Sequence, residues 1–170
     1  GTERRKTYSL DTVSSVLRQS YSDWEASSTK ITTDNELFNS ILERSERDMR
    51  QLLTPTKHGT ILAAGIPWFV APFGRDALIA SLETLMLNPT PAYDSLKMMA
   101  GLQGKEVDEM RDEEPGKMFH EIRQGELTNL NEIPYTPYYG SADATPLFLI
   151  AVSELFKFTG DVEFLNTMLD

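Results

Sequence analysis

The chain has 170 residues, with 16 Lys and Arg against 26 Asp and Glu for a formal net charge of −10, two histidines and no cysteine. That balance argues against a nucleic-acid surface, which needs cations to displace counterions, and against an anionic membrane; the absence of thiols excludes disulfide frameworks and thiolate metal sites. Hydrophobic residues make up 40%, enough to bury a core, so one domain or a large piece of one is expected.

The basic opening Gly1-Thr2-Glu3-Arg4-Arg5-Lys6 is not followed by the apolar run of a signal peptide, and no stretch reaches the roughly eighteen apolar residues of a membrane span. A cytoplasmic setting is therefore expected, and Gly1, standing where Met usually opens a chain, reads as a cleavage scar or an internal cut. Residues 1–31 are polar, rich in Ser and Thr and without sustained periodicity. They read as an N-terminal polar segment or linker in which Tyr21 and Trp24 hint at docking, and residues 32–170 read as the folded domain. Thr33 and Glu36 fit a capping box, and Leu37, Phe38, Ile41, Leu42, Met49, Leu52 and Leu53 form one stripe of a helix over 34–53 that Pro55 ends. Residues 60–73 are apolar but punctuated by Gly65, Pro67 and Pro72, which predicts a short extended piece followed by a buried, irregular loop. Gly74-Arg75-Asp76 opens a second helix, 75–87, stopped by Asn88-Pro89. A third helix spans 91–103.

Residues 104–140 form a long polar connection of the kind that is functional or disordered. Alternation over 117–123 permits a short strand, and Pro134 and Pro137 mark a turn holding Tyr135, Tyr138 and Tyr139. A fourth helix starts at Thr145-Pro146, with Pro in the first helical position, and stops at Gly160. Asp161 caps a fifth helix that is still running at Asp170, which reads as part of a longer protein.

The chemistry-bearing residues gather in the connections. Trp68, Phe69 and the tyrosines offer faces that stack on sugar rings, and carboxylates and guanidinium groups suit hydroxyls. An acidic, aromatic-lined cleft fits a neutral polyhydroxyl substrate, and no Gly-rich phosphate cradle is present. Taken alone, each residue has a plainer reading. Trp68 and Phe69 fit a core or interface, Arg75 and Asp76 a helix cap with an ion pair, and Glu113 and Glu114 a solvated face. His120 fits a hydrogen-bonded structural histidine, and Asp143 a partner of the helix dipole.

Three strings taken together, AAGIPWFVAPFGRDALIASLETL at 63–85, GKEVDEMRDEEPGKMFHEIRQGE at 104–126 and PYYGSADATPLFLIAVSELFKFTGD at 137–161, resemble the amylo-α-1,6-glucosidase, glycogen-debranching-related proteins of the six-hairpin glycosidases. The resemblance implies an all-α fold, a partial (α/α)6 barrel with long loops and room for a short β-hairpin. It implies hydrolysis of α-glucosidic bonds with inversion, without cofactor or metal, with α-1,6 branch points of an α-glucan as the expected substrate. Alternatives are a same-barrel hydrolase of a small α-glucoside of the trehalose or glucosyl-glycerate type, and a non-catalytic carbohydrate-binding module. Arg75 and Asp76 match the Gly-Arg-Asp element that holds sugar hydroxyls, and Trp68 and Phe69 match the aromatic wall before it. His120, Glu121 and Arg123 match the Pro-Gly-Lys…His-Glu-x-Arg segment of the same pocket, which Tyr139 is expected to join. Asp143 matches the Ser-x-Asp-Ala element as general acid. Pro146-Leu147-Phe148 departs from the Leu-Trp-Phe ending of many debranching enzymes. An inverting pair of carboxyls stands roughly 6.5–9.5 Å apart with water between them. The base is expected beyond residue 170, which would leave this chain inactive alone and inclined to self-associate through apolar faces that further helices would cover.

Overall fold

Ser9 accepts the Thr12 amide on its hydroxyl and so begins α1 (Leu10–Ser27), inside the segment read as a polar linker. The spacing of Leu10, Val13, Leu17, Tyr21 and Trp24 is helical, and the serines interspersed among them mask it. Trp24 is buried and its indole N–H donates to the Glu46 carbonyl at 3.0 Å, tying α1 to α2 (Glu36–Leu52). The N-terminus of α2 is capped by Asn35, whose side chain accepts the Phe38 amide at 3.0 Å. Thr33 instead accepts the Asn35 amide and bonds the Asn39 side chain, so the expected capping box does not form.

The computed structural model describes residues 9–169 and is mainly helical with one small sheet. The chain divides into two compact units between Arg50 and Gln51, not at residue 31. The eight leading residues of the expected polar segment, and Asp170, lie outside the described residues. Among the described residues, no helix is long and apolar enough to cross a membrane.

The second unit opens with a hairpin, β1 (Leu53–Thr56) antiparallel to β2 (Gly59–Leu62), in which Leu53 faces Leu62 and Thr56 faces Gly59. Pro55, which was expected to end α2, sits within β1. A proline is tolerated there because each strand of a two-stranded sheet is an edge. Three further helices build the core: α3 (Gly74–Thr84), α4 (Thr90–Gly101) and, after the long connection and the short α5 (Glu126–Asn129), α6 (Ala144–Thr159). The α3 helix packs on α4 and α6, and β2 on α4. Leu78, Leu96, Met99, Phe119 and Leu155 are wholly buried between them. Ala144 opens α6 one residue before the expected start, and Pro146 falls in its first turn, where a missing N–H breaks no helical bond. Gly160 closes α6 at φ 70° and Asp161 accepts the Phe164 amide at 2.8 Å to cap α7 (Val162–Thr167), both as the sequence indicated.

Two expectations fail on burial and regularity. The apolar stretch 65–70 is largely exposed, Trp68 at 81%, because its glycine and prolines hold it off the helices as a loop. The alternating segment 117–123 makes isolated bridges, Phe73 with Glu121 and Glu121 with Tyr138, and no strand.

Gly74 is where α3 presses on this segment. A β-carbon there would collide with the Phe119 carbonyl oxygen and stand 3.1 Å from Met99 Cε. Gly74→Ala is expected to destabilise the second unit by about 1–3 kcal/mol, as overpacked cores do, read as a lower urea midpoint at unchanged m-value.

Candidate active site

Residues 120–123 run extended between two other stretches of chain. Ile122 N–H donates to the Pro72 carbonyl at 2.9 Å and Gly74 N–H to the His120 carbonyl at 2.8 Å. On the other side His120 N–H donates to the Tyr138 carbonyl at 2.7 Å, and Tyr138 N–H to the Glu121 carbonyl at 3.0 Å. An extended chain places alternate side chains on one face, and Glu121 and Arg123 accordingly pair, Arg123 Nε lying 2.6 Å from Glu121 Oε2. Glu121 is buried. The Arg123 guanidinium sits 4.9 Å from the centre of the Phe73 ring, a cation–π contact. Phe73 meets Phe69 and His120 edge-on, and His120 meets Tyr138 in the same way. His120 Nδ1 is buried without a hydrogen-bond partner.

Immediately after Phe73 and Gly74, the first turn of α3 carries Arg75 and Asp76. Arg75 Nη1 reaches Asp143 Oδ2 at 3.4 Å across 68 positions of sequence, and its Nε lies 4.0 Å from Asp76 Oδ2. Asp143 occupies the N-cap position of α6 but makes no capping bond. Ser141 takes over that duty: its hydroxyl accepts the Ala144 amide and donates to Asp143 Oδ1. The Ser141 hydroxyl first, then the Arg75 guanidinium, hold the Asp143 carboxyl below the usual aspartate range. The side chains of Arg75 and Asp143 are each 46% exposed, so their pair contributes only about 0–1 kcal/mol and opens easily.

Five of the expected residues therefore adjoin through the start of α3 and the 120–123 segment: Arg75, Asp76, His120, Glu121 and Arg123. Asp143 joins them through Arg75, and Phe69 through Phe73. Trp68 lines a cavity of about 280 Å³ with Thr54, Pro67, Arg123 and Gln124, and Asp143 is not among the residues around it. A second cavity of about 400 Å³ holds Glu121, Arg123, Gln124, Glu126 and Tyr135. Tyr139 departs from its expected role as a sugar contact. Its ring is 3% exposed and its hydroxyl donates to the Leu102 carbonyl at 2.9 Å, so it is a core residue that anchors the turn before Asp143.

Glu113 was read as part of a solvated face and is in fact buried. Its Oε1 accepts the Lys105 amide at 2.8 Å, and its Oε2 pairs with Arg111 Nη2 at 2.5 Å. The Arg111 carbonyl accepts the Tyr139 amide at 2.8 Å. Nothing in the local pattern sets Glu113 apart from its exposed neighbour Glu114, which pairs with Lys117. Gly104 is the one signal nearby: its missing side chain leaves space that Glu113 Cγ and the Glu114 carbonyl occupy.

No family model matches the chain, and no curated protein matches it significantly.

Three outcomes follow from these bonds. Ser141→Ala and Arg75→Ala should each raise the Asp143 carboxyl pKa, followed by the ¹³C shift of its carboxyl carbon against pH. Because the folded value lies below the unfolded one, near 3.9, the stability Asp143 contributes is full above about pH 4 and is lost as pH falls through the folded value. Asp143→Asn should therefore destabilise the chain more at pH 6 than at pH 2.5. Separately, Glu113→Gln should cost about 1–3 kcal/mol in chemical denaturation, since it leaves buried groups poorly matched.

Proposed function

We propose that this chain forms the proton-donor side of an inverting α-glucosidase of the six-hairpin type, with Asp143 as general acid. The observation that carries the reading is the 3.4 Å approach of Arg75 Nη1 to Asp143 Oδ2. It joins the Gly-Arg-Asp and Ser-x-Asp strings, remote in sequence, in one exposed polar cluster at the N-termini of α3 and α6. The helical pairs α3/α4 and α6/α7, separated by a long connection, support the (α/α)6 barrel that belongs to this proposal.

In the proposed reaction, Arg75 and Asp76 bind hydroxyls of the glucosyl unit. Arg75, turning to the sugar, leaves Asp143 Oδ2, and the carboxyl loses one of the two contacts that keep it ionised. Closure of the sugar over it removes water, and both changes raise its pKa toward that of a donor. The protonated Asp143 gives its proton to the bridging oxygen as the C1–O bond breaks, and a carboxylate supplied from outside this chain takes a proton from the water that attacks C1 on the opposite face. The released glucose is then the β-anomer.

One observation favours a second reading. In the free chain Ser141 and Arg75 hold Asp143 ionised, and a fixed carboxylate accepts hydroxyls without donating a proton, as a carbohydrate-binding module requires.

In the full-length protein, Asp143→Asn should lower kcat on branched dextrin or isomaltose about 10²–10⁴-fold with little change in KM, and ¹H NMR should show β-glucose first. An unchanged kcat, or α-glucose first, would overturn the proposal. Glucan binding with no reducing sugar released would replace it with the binding reading.

A further inference from the structure

Residues 104–118 close on themselves as a loop. Gly104 N–H donates to the Lys117 carbonyl at 2.8 Å and Gly116 N–H to the Gly104 carbonyl at 2.9 Å, while Asp108 and Glu113 exchange backbone bonds at 3.1 and 3.0 Å. Two bonds run from this loop to the chain around Asp143. The Arg111 carbonyl accepts the Tyr139 amide at 2.8 Å, and the Met118 amide donates to Thr145 Oγ1 at 3.0 Å. They grip the chain on either side of Asp143.

Arg111 gives the first of these ties a fixed place. Its guanidinium is held at two nitrogens, Nε 2.8 Å from Asp108 Oδ2 and Nη2 2.5 Å from Glu113 Oε2. Each carboxylate is anchored in turn to backbone. Asp108 Oδ1 accepts the Met110 and Arg111 amides at 2.9 and 3.3 Å, and Glu113 Oε1 accepts those of Lys105 and Glu106 at 2.8 and 3.3 Å. A planar fork that meets two fixed partners leaves the main chain of Arg111 little freedom. From Tyr139 the path to Asp143 is short. The Tyr139 hydroxyl is tied to the Leu102 carbonyl, its own carbonyl accepts the Ser141 amide at 2.7 Å, and the Ser141 hydroxyl donates to Asp143 Oδ1. Asp143 then presents Oδ2 to Arg75.

We infer that Arg111 is a positioning residue: clamped by Asp108 and Glu113, it fixes the turn over 139–143 and so aims the Asp143 carboxyl at Ser141 and Arg75. Its place in the reaction rests on the reading of Asp143 as the acid; its hold on that carboxyl does not.

The Asp143 pKa, followed by ¹³C NMR of its carboxyl in the folded chain, reads this hold directly. With the clamp cut, the carboxyl slips from Ser141 and Arg75, and its pKa should rise toward the ordinary aspartate value near 3.9. Asp108→Ala is the sharpest variant. Removing a negative charge lowers a neighbouring carboxyl's pKa by field alone, so a rise in Asp108→Ala marks displacement of the group. Arg111→Ala should also raise it, and Arg111→Lys, which returns the charge without the fork, should restore it only in part. Phe164→Ala, in α7 beyond the far end of α6, removes a buried ring. It should lower the urea midpoint and leave the pKa in place, which separates positioning from general loss of stability. In the full-length protein, Arg111→Lys should lower kcat on isomaltose about 10–10²-fold, the scale of an ångström's misplacement. KM should hardly change, because Arg75 and Asp76 stay on α3. An unmoved or lowered pKa in folded Asp108→Ala, or an equal rise in Phe164→Ala, would overturn the inference. If the pKa shifts appear while Asp143→Asn leaves kcat unchanged, the acid assignment fails and the positioning stands.

Discussion

At Gly74 the backbone of α3 lies against the backbone of residues 119–120 with no room for a side chain between them. The amide of Gly74 is fixed there on the His120 carbonyl. Everything in the candidate site is placed relative to that contact. It sets Arg75 and Asp76 in the first turn of α3 beside the extended 120–123 segment, and it aligns Phe73 to face His120 and Arg123. The cross-links from 120–121 to Tyr138 then carry the arrangement to the turn that leads into α6 and Asp143.

Burial separates carboxylates that look alike in composition. Glu113 and Glu121 are buried and matched to Arg111 and Arg123 at short range. Such pairs are costly to break, because removing one partner strands the other in low dielectric. They hold loops in place. Asp143 is half exposed and paired at 3.4 Å, where solvent screening makes the pair weak and a ligand's hydroxyls can replace it. The same reasoning removes Tyr139 from the chemistry: its hydroxyl is spent on the Leu102 carbonyl inside the core.

Asp143 also shows how a helix N-terminus can be freed for other work. The residue at that position usually caps the helix with its own side chain. Here the Ser141 hydroxyl accepts the Ala144 amide, and the carboxylate faces Arg75. A side chain at Gly140 would collide with the Tyr138 ring and hydroxyl, so only glycine fits the turn just before Ser141.

By itself the sequence determined the mainly helical character of the chain, the stop at Gly160 and the cap at Asp161, because periodicity, proline and glycine act within a few residues of themselves; α3 ends at Thr84, three residues before the end expected from Asn88-Pro89. It missed α1, where serines between Leu10, Val13, Leu17 and Trp24 dilute the apolar stripe, and it placed the cap of α2 at Thr33, whose hydroxyl is instead spent on the Asn35 amide and the Asn39 side chain while Asn35 takes the Phe38 amide. Arg75, Asp76, His120, Glu121 and Asp143 were legible as polar residues at element ends. Which of them touch was decided only in the tertiary structure, since the 68 positions between Arg75 and Asp143 carry no local information about distance. The fates of Glu113, drawn inside by Arg111 and two backbone amides, and of Trp68, left in solvent, were settled there too. Burial is a property of how remote segments pack, and side-chain polarity alone does not determine it.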